Sequence, residues 1–251
     1  MKLAVALAVL PAAAAFVGPA APAAEVRMQE SKSDLEALAK GLNPTIGFWD
    51  PLNVAGASGS LYGFNNEQTI AWYRQAEIKH GRVAMAAFVG YCVQANGGHW
   101  ATKMTLGGAD WPSGSPPEQW DALPAASKWQ IILFVGVLEA FDESIPPHYT
   151  NGRKPGQFPS FSETYRAGKG IPHPVPFDLY DPFGFSKNAS AEKKARGLVT
   201  EINNGRLAML AVFGFMSASK VPGSVPALAD IIPPYNGDYM IPFEGNFNIF
   251  G

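Results

Sequence analysis

Cysteine is almost absent: Cys92 is the only one among 251 residues. That excludes an internal disulfide and a thiolate metal cluster built from this chain alone. Cys92 sits in the apolar run AAFVGYCV and reads as a packing residue. Charge is scarce as well. Lys, Arg, Asp and Glu make up 16% of the chain, and 19 basic against 21 acidic residues leave a net charge of −2. Such a balance offers nucleic acid no basic face, and a chain that is 47% hydrophobic is too oily to stay disordered. There is no G-x-x-x-x-G-K-[ST] loop, no H-E-x-x-H and no nucleophile–base pair, so the chain does not read as an enzyme. Nor is there an uninterrupted run of eighteen apolar residues, so hydropathy alone does not identify a membrane span.

What is present begins with a leader. Lys2, the apolar run Leu3 to Leu10 and the small residues Ala12 to Ala15 have the form of a secretory-type signal. An Ala- and Pro-rich stretch with Arg27 follows, as in a transit peptide. Residues 1–30 are therefore set apart, and residues 31–251 are expected to form one helical domain.

Three oily segments carry helical length: 67–96, 126–143 around WQIILFVGVLEAF, and 191–219. Periodicity alone fits buried helices of a soluble protein as well as membrane spans. The connections favour spans. The stretch 143–190 is long and broken by eight prolines, which is unusual inside a compact soluble domain. Eight Lys and Arg residues, from Arg153 to Arg196, lie in the second loop and at the start of the third segment, against Lys103 alone between the first and second segments and Lys220 alone beyond the third. That asymmetry puts the N-terminus and the second loop on the insertion-source side. Trp100, Trp111, Trp120 and Trp129 cluster towards the other face, where indoles favour an interface.

The first and third segments also repeat each other. EIKHGRVAM, Glu77 to Met85, and EINNGRLAM, Glu201 to Met209, agree at six of nine positions. Glu and Arg five residues apart do not share a helix face well. Two matching helices crossing about a pseudo-twofold axis resolve this, with Glu77 meeting Arg206 and Glu201 meeting Arg82. An unpaired charge at the centre of a bilayer costs about 2.5–3.5 kcal/mol on insertion scales, and reciprocal pairs largely cancel that cost. Gly81, Ala84 and Ala87, and Gly205, Ala208 and Ala211, form small-residue stripes that would allow close approach. A carboxylate paired with Arg keeps a lone pair for a hard cation such as magnesium. His80 and Asn204, each three residues after its Glu, also offer one. One ligand at a time suits a metal already held in a planar macrocycle.

With those motifs, the chain resembles the light-harvesting chlorophyll-binding superfamily over about residues 46–225. EIKHGRVAM is similar to its first helix, GVLEAFDES to its middle helix and EINNGRLAML to its third. FWDPLNV and YDPFGF resemble the paired loops that flank the central carotenoids. The motif style and the AAAAFVGP leader resemble the chlorophyll a/c branch of fucoxanthin or peridinin type, with secondary-plastid targeting. The resemblance implies an all-α membrane protein of three transmembrane helices, the first and third crossed and related by pseudo-twofold symmetry. It implies that Glu77, His80, Glu201 and Asn204 each ligate a chlorophyll magnesium, with Glu139, Gln94 and Gln130 as further ligands. Arg82 and Arg206 would lock the crossed helices, and Asp50, Pro51, Asp181 and Pro182 would shape the carotenoid loops. Where the green-plant form has a glutamine late in the third helix, this chain has Ala218. His99, His148 and His173 read as loop surface residues.

The expected cofactors are chlorophyll a, chlorophyll c and a carotenoid, with no metal beyond chlorophyll magnesium. The expected partners are thylakoid lipids, other antenna subunits in a homo- or hetero-oligomer, and a photosystem core. The expected location is the plastid thylakoid membrane with a stromal N-terminus. The expected role is light capture and excitation transfer. An energy-dissipating member would share every ligand and would need acids such as Asp110, Glu118 and Asp121 to titrate as the lumen acidifies. A small transporter using the Glu–Arg pairs as a relay is the rival of a different class.

Overall fold

The structure is a computed structural model that describes residues 30–56, 63–105, 107–169, 171 and 173–243. Apart from Glu30, the leader read over residues 1–30 lies outside the described residues. Every regular element among the described residues is helical. The α-helices are α1 (Lys32–Leu42), α2 (Asn66–Ala95), α3 (Pro116–Asp121), α4 (Ala125–Ser144), α5 (Phe161–Arg166) and α6 (Ala191–Lys220), with 3₁₀ turns at Tyr149–Asn151 and Pro226–Leu228. The three oily segments correspond to α2, α4 and α6 within a residue or two at each end. Short α1, α3 and α5 were not apparent from the sequence.

The helix ends follow from local chemistry. At the start of α2, Asn65 accepts from the Gln68 amide at 2.8 Å while the Gln68 side chain accepts from the Asn65 amide at 3.0 Å, a reciprocal capping box. The helix closes at Gly97, whose φ of +69° needs no Cβ, with the Gly98 amide donating to Val93 O at 2.9 Å. Ser115 and Glu118 box the start of α3, and Ser190 caps α6 by accepting from the Lys193 amide at 3.2 Å.

Helices α2 and α6 each have 30 residues, about 45 Å at 1.5 Å per residue, and α4 has 20. No helix among the described residues is long and apolar enough to cross a membrane. Length is not what falls short. Charged and amide side chains such as Glu77, Lys79, His80 and Arg82 interrupt the apolar stretch of α2, and Glu201, Asn203, Asn204 and Arg206 interrupt that of α6. The middle helix is different: Leu133, Phe134 and Val137 are 61, 65 and 67% exposed, and Ile131, Ile132 and Val135 are exposed as well. A helix that is apolar on all sides is normally buried.

The described residues divide into two compact units, 30–82 with 137–205 and 83–136 with 206–243, the division falling inside α2, α4 and α6. In the second unit, Phe215, Ala218 and Ile232 form the core, with Phe88, Tyr91 and Cys92 packed against them. Phe88 and Tyr91 stack on Phe215 with centroids 5.4 and 4.7 Å away. Cys92 is a free packing residue, and Ala218 is filled-in core. The C-terminal segment returns onto α6: the Tyr235 amide donates to Ser219 O at 2.9 Å, and the Ser219 and Tyr239 hydroxyls lie 2.7 Å apart.

In the first unit, α2 and α6 touch backbone to backbone. A Cβ at Gly81 would stand 3.1 Å from Gly205 Cα. The small-residue stripes are shorter than expected. Gly81, Ala84, Gly205 and Ala208 are buried, but Ala87 is exposed and Ala211 only half-buried.

Candidate functional site

The first unit brings together Glu77, His80, Arg82, Glu139, Glu201, Asn204 and the loops of Asp50, Pro51, Asp181 and Pro182. Arg82 Nε donates to Glu201 Oε1 at 2.6 Å, and its Nη1 donates to the Gly156 carbonyl. One oxygen of Glu201 is thereby held, and a carboxylate has a second to offer. Glu77 is paired with Arg74 one turn earlier, and Arg74 Nε also donates to Glu30 at 2.8 Å.

His80 is exposed, and its Nδ1 lies 2.7 Å from the Ala76 carbonyl. With the proton on Nδ1, this bond fixes the ring and leaves Nε2 with the lone pair that a metal needs. Asn204, its counterpart in the second repeat, is also exposed. The exposed His80 and Asn204 and the neutralised Glu201 carboxylate are chemically able to offer a metal one donor each. Among the described residues no His, Cys, Asp and Glu cluster could cage a bare metal ion.

The two loops share one hydrogen-bond pattern, although Asp181 itself takes a φ of +47° and Asp50 does not. Asp50 accepts from the amides of Val54 and Ala55 at 2.8 and 2.9 Å, and Asp181 from those of Phe185 and Ser186, both at 2.7 Å. In each, the residue three after the Asp takes a positive φ: Asn53 at +49° and Gly184 at +75°. Pro51 and Pro182 each sit between the Asp and that turn, and both are exposed. The Ser186 hydroxyl, 2.6 Å from Asp181 Oδ2, and the loop amides hold the Asp181 carboxyl below the usual range.

Sequence reading missed the most buried charge here. Asp142 is 1% exposed and accepts from Arg153 at 2.7 Å, Lys79 at 2.9 Å and Gln75 at 3.0 Å. Lys79 also donates to Glu139 at 2.7 Å. The signal lies in the spacing: Gln75 and Lys79 four apart on α2, Glu139 and Asp142 three apart on α4, each pair able to share a face. Arg153 arrives from a loop that no helical spacing announces.

The second unit holds Gln94, Gln130 and Arg206. Gln94 is half-buried with its carbonyl accepting from Gln119 at 3.0 Å, and Gln130 and Arg206 are exposed. His99 stacks on Trp111, and His173 is exposed, but His148 is more than a surface residue. It lies 2.8 Å from Glu143 and accepts from the Thr150 amide, capping the 3₁₀ turn.

The sequence profile of the chlorophyll A-B binding protein family matches residues 35–220, from α1 to the end of α6. The chain belongs to that family. It is 29% identical over 238 residues to the fucoxanthin-chlorophyll a-c binding protein of Trieres chinensis, covering 92% of this chain and all of the relative. It is 32% identical to fucoxanthin-chlorophyll a-c binding protein B of Phaeodactylum tricornutum, over 86% of this chain and 93% of the relative. Protein F of the same organism is 31% identical, over 88% and 96%. All three relatives are chloroplastic, and they fall in the a/c branch expected from the sequence.

Proposed function

We propose that this chain is a light-harvesting antenna protein that binds chlorophyll a, chlorophyll c and a fucoxanthin-type carotenoid and passes excitation to a photosystem. The observation that carries this reading is the Arg82–Glu201 pair, which joins the two copies of the family's doubled motif across the Gly81–Gly205 contact. It leaves one neutralised carboxylate that would meet both requirements: low net charge for an apolar site, and a second oxygen for magnesium. Glu201, His80, Asn204, Glu77 and Glu139 would hold chlorophyll magnesium in the first unit, and Gln94 and Gln130 in the second. Chlorophyll would bring the absorption and the excited state; the protein sets distance and orientation.

The arrangement is that of three transmembrane helices, α2 and α6 crossed about a pseudo-twofold axis with Glu77–Arg206 as the second lock. The exposure of α4 supports it, because six neighbouring apolar side chains facing outwards fit a surround of lipid and pigment rather than water. The matching Asp50 and Asp181 turns would seat the carotenoid ends. The basic loop between α4 and α6 supports a stromal N-terminus in the thylakoid, and residues 1–30 would be a leader for plastid delivery. Other antenna subunits and a photosystem core would be the partners. Nothing in this reading calls for bond-making catalysis.

The test is reconstitution of residues 31–251 with a pigment extract, followed by fluorescence excitation spectra. Chlorophyll a emission excited through the carotenoid and chlorophyll c bands, and reduced in Glu201→Leu, is the expected result. A folded, colourless protein would overturn the reading.

A further inference from the structure

The Arg82 that holds Glu201 is itself held. Its Nη1 donates to the Gly156 carbonyl, the Gly156 amide donates to Gln75 Oε1 at 2.6 Å, and Gln75 Nε2 donates to Asp142 Oδ2 at 3.0 Å. The same Asp142 oxygen accepts from Lys79 at 2.9 Å, and Lys79 pairs with Glu139 at 2.7 Å. Two hydrogen-bonded branches thus run from one buried carboxylate to two of the carboxylates proposed as ligands.

The junction is built to stay put. Arg153, 6% exposed, grips both the Asp142 carboxylate and its backbone carbonyl, at 2.7 and 2.8 Å. Gln75 is equally buried and uses its amide oxygen and nitrogen for the two sides of the relay. At Gly156 a φ of +80° and a Cβ position 2.9 Å from Ile78 Cγ2 leave no room for a side chain, so the loop backbone can approach α2 closely. Arg153 Nε makes no hydrogen bond, but the Arg153 Nη2 and Gln75 bonds hold the Asp142 carboxylate from two sides, whereas a half-exposed ion pair such as Arg82–Glu201 does not fix itself.

We propose that Asp142 is a positioning residue for two pigment sites at once, orienting Glu201 through Gln75, Gly156 and Arg82, and Glu139 through Lys79. The inference rests on the ligand roles given to Glu201 and Glu139 above. Asp142 touches no pigment in this scheme; it sets the direction of the cations that neutralise the two ligands. The two sites are therefore coupled through the middle helix, and one substitution disturbs both.

The experiment uses the pigment-reconstituted chain and low-temperature absorption and circular dichroism. Glu201→Leu and Glu139→Leu define the band belonging to each site. Gln75→Leu is expected to displace or deplete the Glu201 band and leave the Glu139 band in place. Lys79→Met is expected to do the reverse, with Lys79→Arg restoring the Glu139 band. Asp142→Asn is expected to move both. The single-branch variants keep the test open if Asp142→Asn does not fold. Glu201 and Glu139 bands that stay at wild-type position in Gln75→Leu and Lys79→Met would overturn the relay while leaving the ligands standing. Bands that fall together in every variant would show a general loss of fold and overturn it too. A spectrum unchanged by Glu201→Leu and Glu139→Leu would remove the ligand reading itself, and the relay with it.

Discussion

Gly81 and Gly205 meet so closely that a Cβ on Gly205 would lie 2.9 Å from Gly81 Cα and 3.4 Å from its carbonyl carbon. The obstacle is backbone, which cannot swing aside as a side chain can. Gly205→Val should therefore push α2 and α6 apart at the point where the two EI-x-x-GR motifs touch. Overpacking of this kind costs about 1–3 kcal/mol. Gly90, inside α2 with open space around its Cβ position, is the control. Gly90→Ala should gain up to about 1 kcal/mol from helix propensity alone. Thermal unfolding followed by far-ultraviolet circular dichroism should lower the midpoint for Gly205→Val and hold or raise it for Gly90→Ala.

The Arg82–Glu201 pair should behave as a coupled unit. Its side chains are 41 and 31% exposed, so solvent screens part of the attraction. Arg82→Leu leaves the carboxylate half-buried without its cation; Glu201→Leu leaves the cation. The double variant should therefore be less destabilised than the sum of the two singles, with an interaction of about 0.2–1 kcal/mol. A cycle of four unfolding curves measures it. Strict additivity would mean that the pair contributes no coupling.

The doubled motif made the α2–α6 relationship legible, because six shared residues in nine are a record of one local structure used twice. The helix limits were legible from the extent of the oily segments, and the structure adds what fixes them at α2: the Asn65–Gln68 capping box and Gly97 at positive φ. Asp142 was not. Two of its partners, Gln75 and Lys79, come from α2 and the third, Arg153, from a loop eleven residues on, and only the folded chain brings them to one carboxylate. Short α3 and α5 were hidden by proline and serine, which read as loop yet serve as first-turn and cap residues. Apolar helix α4 announced itself, but the exposure of its side chains did not, since periodicity cannot distinguish a buried apolar helix from one in lipid.

The twin turns predict unequal tolerance at equivalent positions. Asn53 and Gly184 both sit at positive φ, but asparagine already carries a Cβ there and glycine does not. Gly184→Ala should cost about 1–2 kcal/mol, the left-handed penalty for an ordinary side chain. The Lys187 side chain, 3.3 Å from the new Cβ, must also give way. Gly184→Asn should cost less, because asparagine tolerates this region. Asn53→Gly should be close to neutral, offset by the lost bond from Lys32. Unfolding midpoints should rank Gly184→Asn above Gly184→Ala.

Acid should weaken the fold through carboxylates that hydrogen bonds hold below their usual range. Hydrogen bonds from Ser186 and the turn amides lower the Asp181 carboxyl. Burial pushes the Asp178 carboxyl up, but bonds from Ser162 and Ser160 outweigh it and bring it down. Glu118 is lowered by the Ser115 hydroxyl and amide. A carboxyl with a folded pKa below its unfolded value contributes its full stability above the unfolded value, about 3.9 for Asp and 4.3 for Glu. That contribution is lost as pH falls through the folded value. The thermal midpoint should thus be insensitive to these groups from pH 8 to 5 and should drop below about pH 4. Asp181→Asn and Asp178→Asn should each start lower at pH 7 and fall less steeply, because the titrating group is gone. Parallel curves for wild type and variants would contradict this. The same reasoning bears on energy dissipation triggered by mild acid. The Ser115 bonds hold the Glu118 carboxyl below its usual range, so Glu118→Gln should show the same change in emission yield between pH 7 and 5 as the wild type.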